Sequence, residues 1–189
     1  MTFLLRLSRA IDRLNELVGH LVYWAVLAAV LVSAGNATVR YALDTSSNGW
    51  LELQWYLFSA VFLLAAGYTL QHNQHVRIDV INGHLPPRVR AWIDLVGGIL
   101  FLLPMAIVIM VLAWPLVVDS YLRQEYSSDA GGLLRWPVKL LIPAGFFLLA
   151  LQGVSEIVKR IAYLAGRIPD PLEKREEPVA EEPIRGASK

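Results

Sequence analysis

Four stretches of the chain run for roughly the 20 residues a membrane crossing needs with few or no charged side chains, and charges or prolines gather between them. The first extends from Leu17 to Val39, between Glu16 and Arg40, and the second from Leu53 to Leu70, between Glu52 and the polar run that begins at Gln71. The third extends from Leu95 to Val118, between Asp94 and Asp119, and the fourth from Trp136 to Ser155, with Lys139 near enough to its start to snorkel. At about 1.5 Å per residue, a helix of roughly 20 residues crosses a hydrocarbon core of about 30 Å. The pattern predicts an all-α integral membrane protein with transmembrane helices over 17–40, 50–71, 92–118 and 136–157, in one four-helix domain covering 17–165.

The flanking segments read differently. Before the first span, Leu4, Leu7, Ile11, Leu14 and Val18 recur at helical spacing, with Arg6, Arg9, Arg13 and Glu16 on the other face. Residues 1–16 are therefore predicted as an amphipathic helix lying in the membrane interface; a straight extension of the first span is the other arrangement this pattern allows. Small residues at Val32-Ser33-Ala34 and Asn36-Ala37 suit signal peptidase, but Asp12 and Glu16 precede a run longer than a signal sequence, so it is read as an uncleaved span. After Ile168, four prolines interleave with glutamates, and 166–189 is predicted to be a disordered tail.

Composition narrows the function classes. The chain is 56% hydrophobic and only 17% charged, with a mean hydropathy of +0.47, against about 25% charged in soluble domains. A net charge of +1 without any basic, aromatic-laced stripe argues against a nucleic-acid partner. With zero cysteines there is no disulfide, thiolate nucleophile or cysteine metal ligand. Of the 17 lysines and arginines, only Arg40, Arg123, Arg135 and Lys139 fall on the side opposite the N-terminus. That bias predicts cytoplasmic termini. Trp50, Trp55, Trp114 and Trp136 gather near the outer interface and Trp92 near the inner one, while Trp24 sits deeper.

The spans contain little that could hold a solute. Acids occur only at their edges, as Glu52, Asp94, Asp119 and Glu156, whereas a transported ion or polar solute needs polar coordination near the midplane. Small residues are present instead: Ala25, Ala29, Ser33 and Ala37 repeat every fourth position, and Gly67, Gly97, Gly98, Ala144, Gly145 and Gly153 add further sites of close helix approach. His20, His72 and His75 share the inner level and are candidate axial ligands for a b-type haem, with satisfied interfacial histidines as the simpler reading. His72 and His75 alone are too few for a zinc site.

Three segments carry a family resemblance: Trp50-Leu51-Glu52 opening the second span, Ala66-Gly67-Tyr68-Thr69-Leu70 closing it, and His75-Val76-Arg77-Ile78-Asp79 directly after. In this order and topology, over about residues 10 to 165, the chain resembles the small (DctQ-like) membrane subunit of tripartite ATP-independent periplasmic (TRAP) transporters. The resemblance implies a non-enzymatic inner-membrane subunit without cofactor. It would pair with a large membrane subunit that holds the sodium and substrate sites and moves as an elevator, fed by a periplasmic substrate-binding protein. The small subunit would enlarge the static scaffold in the lipid bilayer. Glu52, His75, Arg77 and Asp79 carry over as motif positions, with expected duties in subunit contact or inner-face anchoring. The segment from Glu125 through Gly131-Gly132 to Arg135-Trp136-Pro137 resembles the branch labelled for mannitol, chloroaromatic or 2-oxoacid substrates, although substrate choice belongs to the other subunits. The rival readings are a stand-alone small exporter, which would need a membrane-embedded acid, and a b-type membrane cytochrome.

Overall fold

The computed structural model describes residues 2–45, 47–72 and 85–169. Helix α1 spans Thr2–Leu43 and α2 spans Asn48–Gln71. After them come α3 (Pro87–Gly97), a π-helical turn (Gly98–Leu102), α4 (Leu103–Leu122) and α5 (Trp136–Leu164). Four rods are long and apolar enough to cross a membrane, with α3, the π turn and α4 forming one of them. The only extended pairing among the described residues is an isolated bridge between Tyr126 and Leu134. The protein is all-α with four candidate membrane spans.

The amphipathic segment at 1–16 does not stand apart as an interfacial element. Residues 2–16 are the first turns of α1, which no proline interrupts. At about 1.5 Å per residue, the 42 residues of α1 reach about 63 Å, roughly twice a hydrocarbon core. Ser8, Ile11, Asn15, Gly19 and Val22 are buried at steps of three and four, so one face of this arm packs on protein from the start. Protein packing along that face selects the straight extension over a helix lying in the interface.

Proline chemistry shapes the third rod. Pro104 has no N–H to donate to the carbonyl one turn back, and its ring crowds that carbonyl. The wider π turn lies immediately before it, with the Leu103 N–H reaching the Gly98 carbonyl. Helix α5 ends in a Schellman cap: Gly166 takes φ +69°, its N–H reaches Tyr163 O at 2.8 Å, and the Arg167 N–H reaches Ala162 O at 3.0 Å. Helix α4 ends the same way, but with Gln124 in the left-handed position at φ +49°.

Helix α5 is the axis of the assembly. It packs on α1, α2, α3 and α4, while α1 and α2 pair with each other and the third rod rests chiefly on α5. Glycines set how close the rods come. A Cβ on Gly145 would fall 2.5 Å from the Leu63 carbonyl oxygen and 2.9 Å from its carbon, backbone atoms of α2 that cannot swing aside. A Cβ on Gly67 would land on the Asn15 amide oxygen, and one on Gly19 would enter the Tyr68 ring. Such approach brings backbones within dispersion contact, the main attraction available between helices in lipid.

Gly145→Ala should therefore separate α2 from α5 and cost about 1–3 kcal/mol. Thermal unfolding of purified protein, followed by tryptophan fluorescence, is expected to shift down by several degrees; an unchanged midpoint would remove this contact from the packing.

Candidate functional site

The polar chemistry sits at the two ends of the bundle: the near end, where α1 begins, and the far end, where α1 meets α2. At the near end Asp12 is the hub. Its carboxylate accepts from Lys159 Nζ at 2.8 Å, Ser155 Oγ at 2.8 Å and Gln152 Nε2 at 2.9 Å. Lys159 also donates to Glu156 at 2.9 Å, and the Gln152 amide oxygen accepts from Asn15 Nδ2 at 3.0 Å. Ser8 and Ser155 hydroxyls meet at 2.7 Å. Gln152, Asn15 and Ser155 are wholly buried, so these groups have no solvent to turn to and must satisfy one another. The network fastens the arm of α1 along the last turns of α5. Beside it, Arg160 pairs with Asp94 at 3.0 Å and ties α5 to the third rod.

A second near-end group joins α1 to α2. The Glu16 carboxylate accepts from Gln71 Nε2 at 3.3 Å and lies 3.6 Å from His72 Nε2. His20 and His72 each direct Nδ1 to the carbonyl one turn back, at 2.7 Å on Glu16 and 3.1 Å on Tyr68. Both imidazoles thus have local partners. Tyr23 and Tyr68 complete the contact, hydroxyl to hydroxyl at 3.2 Å.

At the far end, Glu52 does the corresponding work. The α4–α5 connection folds into a small hairpin: Gly131 at φ +75° makes the turn, Ser127 N–H reaches Leu133 O at 3.0 Å, and Arg135 N–H reaches Glu125 O at 2.9 Å. Glu52 is only 4% exposed, and its carboxylate accepts the Leu133 N–H at 2.5 Å. Tyr56, one turn on, donates to Leu134 O at 2.6 Å, and Asn48 donates to Ala130 O at 3.1 Å. Any side chain at Gly132 would displace the Glu52 carboxylate or Ser127. Lys139 donates to Glu125, and this bond holds the Glu125 carboxyl below its ordinary pKa. Between the two ends the described spans carry no charged side chain.

The family model described as Tripartite ATP-independent periplasmic transporters, DctQ component, matches residues 29–162, most of the chain. The chain belongs to this family. No curated protein and no solved structure gives a match. A DctQ component is part of a tripartite transporter, which brings in a large membrane subunit and a periplasmic binding protein as its general partners.

Within this DctQ component, the candidate residues part company. Glu52 is turned inward onto the hairpin, so its carboxylate is spent inside the subunit. Ala25, Ala29 and Ser33 are half-buried, and Ala37 is exposed. Ala29 and Ser33 line an open crevice of about 670 Å³ with Leu51, Gln54 and Phe58. Close approaches between helices lie elsewhere, at Gly19, Gly67, Gly145 and Gly153. His75, Arg77 and Asp79 lie outside the described residues. Ser8, Asp12 and Asn15 on α1 and Gln152, Ser155 and Lys159 on α5 form the near-end network without being among the candidate site residues of the sequence. A signal was there: each set recurs every three or four residues, one polar stripe on each of two otherwise apolar helices.

Asp12→Ala leaves the Lys159 ammonium, which is 12% exposed, beside Glu156 alone and removes the acceptor of the Ser155 hydroxyl and the Gln152 amide, and should cost about 1–3 kcal/mol. The expected readout is a lower unfolding midpoint and faster amide exchange along 2–16; unaltered exchange would show that the network does not hold the arm. At the far end, Glu52→Ala orphans the Leu133 N–H and should cost about 1–3 kcal/mol. It is expected to open the 125–135 hairpin to protease while the near end stays protected, and a hairpin that remained resistant would contradict the clasp.

Proposed function

We propose that this DctQ component is the static scaffold subunit of a sodium-driven solute importer, holding the large transport subunit in register in the bilayer while that subunit moves substrate delivered by the binding protein. The observation that carries the reading is the distribution of charge. Carboxylates, cations and buried amides are drawn to the two ends, where carboxylates meet cations and amides, and the middle of every described span carries no charged side chain. A coupled ion or an anionic solute has to exchange its hydration shell for fixed polar ligands near the midplane, and the hydroxyl of Ser59, at the middle of α2, is committed to the Trp55 carbonyl. Sodium and substrate sites then belong to the large subunit. Fixed end clasps and glycine-tight helix contacts suit an element that stays still.

The membrane is the bacterial inner membrane, and the near end faces the cytoplasm. The excess of lysine and arginine on the side of the N-terminus supports that orientation. The far-end hairpin, with Glu52 beneath it, then faces the periplasm, where the binding protein arrives.

Gentle detergent purification of the tagged chain from its native host tests the pairing. A much larger hydrophobic polypeptide is expected to come with it in fixed ratio; a stable, solitary chain would overturn the scaffold reading.

A further inference from the structure

The contact between Glu16 on α1 and His72 at the end of α2 is short of one hydrogen. His72 directs Nδ1 to the Tyr68 carbonyl at 3.1 Å. A carbonyl oxygen only accepts, so Nδ1 carries the proton there, and in the neutral imidazole Nε2 is left as a bare lone pair. That lone pair faces Glu16 Oε2 at 3.6 Å, within ion-pair range and beyond a hydrogen bond. Two acceptors thus confront each other. A second proton on the ring turns them into imidazolium and carboxylate with a hydrogen between them. His20 is not equivalent: its nearest approach to the same carboxylate is 4.0 Å and runs through Nδ1, which already donates to the Glu16 carbonyl.

Tyr68 links this pair to the packing of the two helices. Its ring lies against the His72 ring, with centroids 4.1 Å apart and planes at 35°, and a cation over a tyrosine face is attracted by the ring. The same ring fills the space at Gly19 of α1, and its hydroxyl accepts from Tyr23 of α1 at 3.2 Å. A proton on His72 therefore adds one attraction across the α1–α2 contact, to Glu16, and another to the ring that sets the spacing of that contact. The remaining charged groups of the two helices packed on α2 are engaged or turned away. On α1, Asp12 accepts from Lys159 and Arg13 is exposed; on α5, Glu156 accepts from Lys159 and Gln152. Side-chain exposures of 31% for His72 and 39% for Glu16 keep the pair within reach of protons from the water.

We propose that His72 and Glu16 form a proton-dependent latch between α1 and α2, slack while His72 is neutral and closed when its ring takes up a second proton. The contact strengthens as pH falls, and with the near end in the cytoplasm it is cytoplasmic acidification that closes it. The latch goes beyond the scaffold reading and needs only the α1–α2 contact.

The purified full-length chain carrying isotope-labelled histidine tests the latch by nitrogen NMR, with His72→Gln assigning the signal by its loss. His72 is expected as the Nδ1–H tautomer with unprotonated Nε2 at about pH 8, and as the doubly protonated ring at about pH 5.5. An Nε2–H tautomer at the higher pH, or a ring whose protonation is the same at both, would overturn the proposal. A cycle of unfolding midpoints over Glu16→Gln, His72→Gln and the double change reads the coupling itself, because titrations elsewhere cancel in it. The two changes are expected to be non-additive by several degrees at the lower pH and additive at the higher. Equal coupling at both pH values, or none at either, would contradict the latch.

Discussion

An ionised group in hydrocarbon loses its hydration and finds little in return, and most of this subunit follows from that penalty. Its charges are expelled to the two ends of four apolar rods, where they become the fasteners. Near the start of α1, Asp12 collects an ammonium, a hydroxyl and an amide from a single helix, so one carboxylate fixes both the height and the rotation of α1 on α5. At the opposite end, Glu52 closes a backbone hairpin over the N-terminus of α2. Neither site resembles a catalytic acid or a binding pocket. Both convert a membrane liability into a geometric constraint.

Between the ends, cohesion has a different origin. Lipid tails are as apolar as leucine, so burial of hydrocarbon does not drive the rods together, and close approach at glycine takes over, against the Leu63 backbone at Gly145, the Asn15 side chain at Gly67 and the Tyr68 ring at Gly19. The resulting stability is uneven. Helices α1, α2 and α5 are mutually packed, whereas the third rod is held mainly through α5, by Arg160–Asp94 at one end and by the edge-to-face contact of Tyr121 with Trp136 at the other. The division leaves a core of three mutually packed helices and a third rod held on one side.

Much of this was legible in the sequence because it depends on patterns of one dimension. Charge-free runs of membrane length gave the spans, and the order of Glu52, Gly67 and the His75–Asp79 segment gave the family. The continuity of α1 was harder to read. The spacing of Leu4, Leu7, Ile11 and Leu14 is the same whether lipid or protein covers that face; in the fold Ile11 is buried while Leu4, Leu7 and Leu14 stay exposed, and the buried stripe runs through Ser8, Ile11 and Asn15 instead. Asp12 and Lys159 stand 147 residues apart, and no local rule pairs them. Ala29 and Ser33 have the spacing of a close contact, yet they border a crevice, since what small residues permit is realised only where another backbone arrives.

We propose that this polypeptide holds a transporter in place and grips no solute itself. Proteoliposomes containing the purified chain alone, energised by a sodium gradient or a proton gradient, test it most directly. No uptake of any organic acid above empty vesicles is expected, with uptake appearing only when the large subunit and binding protein are added. Accumulation of a solute by the lone chain would contradict it.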